Sequence, residues 1–303
     1  MLTDYHTHLR PDDRDATPSQ FFTAANADCY RTVAGERGIA ELGVAEHIYR
    51  FTAALDVWDH DLWRRYGRDD LDDYCAFVRE ETDLRLGIEA DYVPGAEDRM
   101  ANLLESREWD YVIGSVHFLR DAAVDLDDPE YDVWGRGESA DRVWERYFQT
   151  LAEAARSGLY DIMAHPDLVK VWGPARPTPE KDVRFFYEPA IEAIAETGIA
   201  VEISTAGLRK PVGELYPARA FLEMVADAGN PVTLSSDAHA PDHLGYGYAE
   251  ALELLSDVGI THLATFDRRT PRAIPIEDAD REVVHRHGDT PPPTIDPTTG
   301  RPG

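Results

Sequence analysis

Seven times along the chain a short run of strand-like apolar residues ends in a polar residue, and most of those polar residues can bind a metal. The runs begin at Leu2, Ile39, Leu84, Tyr111, Tyr160, Ile199 and Val232. Helix-like stretches lie between them. Thr17-Pro18 opens one that reaches Ala34, and Asp69 to Thr82 puts Leu71, Tyr74, Cys75 and Val78 on a single stripe. Glu180 to Glu196 reads as a helix interrupted near Pro189, Ala218 to Ala228 as one capped by Gly229, and Asp242 to about Val258 as the last. Strands alternating with helices call for a parallel sheet with helical crossovers. An open doubly wound sheet gathers its site at one switch point, whereas a barrel presents residues from the carboxyl ends of all its strands. Here every strand end contributes, so a single-domain α/β barrel is expected over residues 1–285. Ile260 to Phe266 reads as one further short strand, and the acidic stretch from Asp121 to Gly137 as a loop. Residues 286–303, rich in Pro, Thr and Gly, cannot bury enough apolar area to offset ordering and are expected to be a disordered tail.

The strand-end residues carry the chemistry. In an extended strand, positions i and i+2 point the same way, so His6 and His8 present two imidazoles on one face, about 6–7 Å apart along the strand. Asp237-Ala238-His239 repeats that spacing, and His47, Glu89, His117 and His165 stand at the other strand ends. Five histidines beside two carboxylates before His239 is counted exceed what one tetrahedral zinc needs. Two or three divalent ions, with Glu89 as a bridge, fit the inventory better. Two ions about 3.5–4 Å apart can clamp both oxygens of an in-line phosphoryl displacement. With no thiolate in the set, zinc, manganese and iron all suit it. His60, His262, His285 and His287 follow no strand end and read as ordinary surface residues.

Charge narrows the partners. With 58 acidic and 30 basic residues the formal charge is -28, which argues against a nucleic-acid surface built from clustered cations. A phosphate group would therefore need local cations or metals. No run of about 18 apolar residues is present, so no membrane-spanning helix is expected. No signal peptide is visible, and Cys29 and Cys75 make neither a disulfide framework nor a CxxC site, so a cytoplasmic protein is expected. Oligomeric state stays open.

Six segments together resemble the PHP superfamily (polymerase and histidinol phosphatase): Asp4-Tyr5-His6-Thr7-His8, Ala45-Glu46-His47, Gly87-Ile88-Glu89-Ala90-Asp91, Gly114-Ser115-Val116-His117, Ala164-His165-Pro166-Asp167 and Ser236-Asp237-Ala238-His239. The stretch from Glu202 to Pro211 is similar more narrowly to the histidinol-phosphate phosphatases. The resemblance implies a distorted, TIM-like (β/α)7 barrel with a trinuclear metal site that hydrolyses L-histidinol phosphate to L-histidinol in histidine biosynthesis. It further implies one ion on His6, His8, Glu89 and Asp237, a second on Glu89, His117 and His165, and a third on His47 and His239. Many relatives add a histidine in the loop after the first motif. This chain has only Asp12, Asp13 and Asp15 there, and Asp13 is the expected replacement. Water activated between the ions would attack phosphorus in line. Arg209, just past the sixth strand, is expected on the phosphate, with Arg50 and Lys170 as secondary candidates. Glu89, Asp237 and His239 complete the expected catalytic set. Rival readings keep the metals and change the substrate to another small phosphate monoester, a nucleotide or a phosphotyrosine protein; a non-catalytic domain would be expected to have lost ligands.

Overall fold

The computed structural model describes residues 1–13, 15–277 and 284. The tail expected at 286–303, with His285 and His287, lies outside the described residues.

Seven parallel strands form one sheet in chain order: β1 (Leu2–Asp4), β2 (Ile39–His47), β3 (Arg85–Asp91), β4 (Tyr111–Ser115), β5 (Ile162–Met163), β6 (Ala200–Ser204) and β7 (Val232–Ser235). The seam between β1 and β7 is drawn together just beyond their ends. Thr7 bridges Ala238 in parallel register, the His8 N–H donates to the Ala238 carbonyl at 2.7 Å, and the Ala238 N–H donates to the His6 carbonyl at 3.3 Å. The chain is thus a nearly closed, distorted TIM-like barrel, and the two His- and Asp-bearing motifs are themselves its closure.

Helices cover the outside, and several depart from expectation. The helix expected from Thr17 to Ala34 is broken into one turn, Pro18–Phe21, and a longer helix, Ala24–Glu36, because the Thr23 side chain accepts from the Asn26 N–H and restarts it. Asp70 caps Leu71–Glu81 by accepting from two backbone N–H groups. Val183–Thr197 runs through Pro189 without interruption, and the last helix starts at Tyr248 rather than at Asp242. The segment after His117 is more ordered than a plain loop: Phe118–Leu119 pairs antiparallel with Ala122–Ala123, and a 3-10 turn spans Val133–Arg136.

The further strand expected near Ile260 is β8 (His262–Asp267), which pairs antiparallel with β9 (Thr270–Pro275) outside the barrel sheet. This hairpin plugs the amino-terminal end. Ala264 and Phe266 join Tyr5, Ala45, Tyr111, Ile113 and Ile162 in the buried barrel interior. The Phe266 N–H donates to the Tyr5 hydroxyl at 3.2 Å, and Arg269 at the hairpin turn ties to Asp161 at 2.9 Å and to the Asp110 carbonyl at 2.7 Å. Above the plug lies the Tyr111 ring, whose hydroxyl donates to the Tyr5 carbonyl at 2.6 Å. Glycine at 43 and 87 makes room for it: a Cβ on Gly87 would meet the ring at 2.3 Å, and one on Gly43 would meet its hydroxyl at 2.2 Å. With the bottom closed, the open mouth is the carboxyl end. Among the described residues, no helix is long and apolar enough to cross a membrane.

Candidate active site

The side chains of His6, His8, His47, Glu89, His117, His165, Asp237 and His239 converge at that mouth. Glu89 is their centre. Its Oε1 lies 3.3 Å from His117 Nε2 and 3.3 Å from His165 Nε2. Its Oε2 lies 3.3 Å from His6 Nε2, 3.8 Å from His8 Nε2, and in close contact with His47 Nδ1. Asp237 Oδ1 faces His8 Nε2 at 3.3 Å and His6 Nε2 at 3.8 Å. Register explains part of the arrangement: His47 and Glu89 are paired residues on adjacent strands, which puts their side chains at one level.

Several of these groups are aimed at each other with nothing between them. His6 Nε2, His8 Nε2, His47 Nδ1, Glu89 Oε2 and Asp237 Oδ1 are buried and make no hydrogen bond. Buried polar atoms are almost always satisfied, so a cluster of converging lone pairs fits bound cations. Three donor sets have all their atoms within 4.8 Å of one another: His6, His8 and Glu89; Glu89, His117 and His165; and His8, His47 and His239. Nitrogen and carboxylate oxygen donors of this kind suit divalent metal ions.

Outer partners fix the histidines. His6 Nδ1 lies 2.8 Å from Glu202 Oε1, and His117 Nδ1 lies 2.8 Å from Asp91 Oδ1. Each carboxylate holds the proton on Nδ1 and leaves the Nε2 lone pair facing inward, the arrangement that orients metal-binding imidazoles. Glu202 also accepts from the His165 N–H at 2.8 Å and from the Ser235 hydroxyl at 2.6 Å. The backbones are held in costly conformations as well: His165 has φ 23° and Asp237 φ 49°. Such non-glycine conformations cost on the order of 1–3 kcal/mol and persist where neighbours over-determine them. Glu202 does so for His165.

The electrostatics are those of a site that holds protons where metal would go. Burial would lower the pKa of His117, but Asp91 and Glu89 outweigh it and raise it to about 10. Burial likewise opposes the charge on His6, yet Glu202, Glu89 and Asp237 carry it well above the ordinary value. Burial pushes His8 well below, helped by His239 and His47. Glu89 stays well below the usual carboxylate range, because His47, His6 and His117 outweigh its burial. The neighbouring carboxylates thus favour protons on His6 and His117, and a metal binding there competes with those protons. Calorimetry of metal binding in buffers of different ionisation enthalpy is expected to detect proton release at pH 7. Apparent affinity should weaken as pH falls, and the proton competition at His117 should fade as pH rises toward 10. Binding without proton release would contradict these charge states.

Four expected placements change. Asp13 is exposed, and its carboxylate accepts from the Asp15 N–H at 2.9 Å, capping its own turn. Asp12 reaches the site instead, 3.2 Å from His239 Nε2 and 3.6 Å from His47 Nε2. Arg50 delivers it: this buried guanidinium donates to the Asp12 carboxylate, to Glu46 and to the Arg10 carbonyl. Those bonds occupy Arg50, so it is not free for phosphate. Lys170 is likewise held, by Asp167 at 3.0 Å and the Leu215 carbonyl at 2.8 Å. Arg209 does not line the cavity; it donates to the Ser236 carbonyl at 2.7 Å and the Asp237 carbonyl at 3.0 Å, bracing the left-handed Asp237. Its neighbour Lys210 lines the cavity and is exposed.

The cavity over this floor has a volume of about 390 Å³. Leu62, Tyr66, Phe118, Leu126 and Trp172 supply apolar walls, and Asp125 adds a carboxylate.

Comparison with known proteins follows the same lines. Residues 19–206 match the PHP domain family. That span carries His47, Glu89, His117 and His165, with His6 and His8 before it and Asp237 and His239 after it. A probable histidinol-phosphatase of Deinococcus radiodurans is 34% identical over 237 residues, covering 76% of this chain and 86% of that one. The histidinol-phosphatase of Bacillus subtilis is 28% identical over 188 residues, covering 58% of this chain and 70% of that one. The histidinol phosphate phosphatase of Lactococcus lactis, solved with zinc, L-histidinol and phosphate, shares the fold with a TM-score of 0.65 at 19% identity, covering 89% of this chain and 98% of that one. The family match and the Deinococcus relative agree with the geometry, and the chain belongs to the PHP domain family, within its histidinol-phosphatase branch.

Proposed function

We propose that the protein is a divalent-metal-dependent phosphomonoesterase that hydrolyses L-histidinol phosphate to L-histidinol and phosphate, a cytoplasmic step of histidine biosynthesis. The observation that carries this reading is Glu89, whose two oxygens face separate histidine groups at the floor of one cavity. The names of the Deinococcus, Bacillus and Lactococcus relatives supply the substrate.

His6, His8, Glu89 and Asp237 would hold one ion, and Glu89, His117 and His165 a second. His47, His239 and Asp12 would hold a third. Zinc, manganese and iron all suit these donors. Ions bound there supply activation of water and neutralisation of phosphate charge. Glu202 and Asp91 keep the imidazole lone pairs aimed inward, and Arg209 keeps Asp237 in place. Lys210 is the cation placed to meet a phosphate oxygen, and the apolar walls exclude water from the ester.

Asp12→Ala is expected to lower the metal content by about one ion per chain, read by elemental analysis after reconstitution, whereas Asp13→Ala should not change it. An unchanged count in Asp12→Ala would remove Asp12 from the centre. The substrate reading is tested by assaying the metal-reconstituted protein on a panel of phosphate monoesters. L-histidinol phosphate should exceed generic esters in kcat/KM by about 100-fold or more, in keeping with built polar recognition. Hydrolysis no faster than that of generic esters would end the substrate assignment.

A further inference from the structure

We propose that the segment 121–137 is the substrate-selecting wall of this cavity, and that Asp125 on it pairs with the ammonium group of a phosphate ester of an amino alcohol. The inference rests on the phosphatase reading above and adds to it the group that chooses the alcohol.

The segment is strongly acidic, and its carboxylates are otherwise engaged. Asp121 binds Arg136 at 2.9 Å, Asp127 binds Arg176 at 2.6 Å, and Glu130 binds Arg65 at 2.9 Å. Asp128 accepts from the Glu130 N–H at 2.9 Å, and Asp132 from the Trp134 N–H at 2.9 Å. Asp125 differs: it is half-buried, lines the cavity, and has no hydrogen bond or ion pair among the described residues. The other carboxylates lining the cavity, Asp12, Glu89 and Asp237, each face histidines. A partly desolvated carboxylate without a cation is costly, and a cationic ligand removes that cost.

The backbone beside Asp125 is unusually well fixed. The Val124 N–H donates to the His117 carbonyl at 2.9 Å, tying the segment to the end of β4. The Val124 carbonyl accepts from two indoles, Trp172 at 2.8 Å and Trp134 at 3.2 Å. Trp172 comes from the loop after β5, so the clamp joins two barrel loops across the cavity wall. Its ring and Leu126 then form the apolar surface next to the carboxylate. A carboxylate carried on backbone held this firmly samples a restricted range of positions, and such preorganisation is how recognition of a small cation gains affinity and selectivity.

The geometry sorts a substrate by its two ends. A phosphate dianion belongs on the histidine-rich floor with Lys210 at the rim, and the opposite sign belongs on Asp125. An ester whose alcohol carries an ammonium group and a flat ring satisfies floor, carboxylate and apolar wall together. An uncharged ester leaves Asp125 unpaired.

The test compares L-histidinol phosphate with its deamino analogue, which keeps the ring and the phosphate. Both are assayed with wild type, Asp125→Asn and Asp125→Ser, each metal-reconstituted and checked for metal content and thermal unfolding. Loss of a desolvated charge partner is expected to cost about 100-fold in kcat/KM for the amine ester, chiefly through KM. The wild-type preference for the amine ester over the deamino ester should collapse to near unity in both variants. A wild type that prefers the amine ester, with that preference retained in the variants, would overturn the Asp125 pairing and leave the phosphatase reading standing. A wild type that hydrolyses both esters equally well would likewise overturn the pairing and leave the phosphatase reading standing, whereas hydrolysis of neither ester would overturn both.

Discussion

Glu89→Gln is expected to lower kcat/KM by about 1,000-fold or more while leaving the fold intact, as read by steady-state kinetics alongside circular dichroism. The size follows from sharing. Glu89 Oε1 serves His117 and His165, and Oε2 serves His6, His8 and His47. The amide keeps the shape but turns one of these oxygens into a donor and removes the negative charge. One side of the floor then presents N–H groups where a cation should sit, and losing a single preorganised charge-stabilising group already costs about 100- to 1,000-fold. The fold should survive because the neighbouring histidines can become neutral and the barrel interior below is untouched. Retention of most activity would remove Glu89 as the shared ligand.

Gly87→Ala is expected to destabilise the protein by about 3 kcal/mol or more, near the upper end for overpacking a core. The added Cβ would lie 2.3 Å from the Tyr111 ring, which is wholly buried and anchored through its hydroxyl to the Tyr5 carbonyl. Neither strand can yield cheaply, since β3 pairs with both β2 and β4. At about 2 °C per kcal/mol for a chain of this size, the melting temperature should fall by about 6 °C or more. Gly87 stands two residues before Glu89, so activity should fall with stability. Replacing Tyr111 by Leu in the same chain should recover part of the loss. A melting temperature within about 1 °C of wild type would contradict the close packing of glycine and ring.

The barrel was legible because its signal is local and repeated. Most strand ends announce themselves by an apolar run meeting a histidine or carboxylate, and parallel pairing in chain order needs no other information. Side-chain direction past a strand end was not legible. Arg50 and Lys170 follow strand ends near the mouth, yet each has a carboxylate at helical spacing, Glu46 four residues before and Asp167 three before, and those carboxylates hold them. That spacing was the available warning. The choice of Asp12 over Asp13 depends on Arg50, which lies 38 residues away, so no local pattern reveals it. The 121–137 segment lacks periodicity, and its order comes from the Trp134 and Trp172 indoles, a tertiary contact. Glu202 and Asp91 sat inside recognised motifs, but their role in orienting His6 and His117 needed coordinates. Pro189 suggests an interruption by its sequence, yet the helix Val183–Thr197 continues through it.

The most direct test of a shared metal centre is activity on L-histidinol phosphate as a divalent metal is titrated into chelator-stripped protein, with ions per chain counted at each point. Activity should be absent in the stripped protein and rise steeply only after the first equivalent, reaching its plateau at two to three ions per chain. Full activity at a single ion per chain, or hydrolysis by the stripped protein, would contradict a centre in which Glu89 is shared between ions.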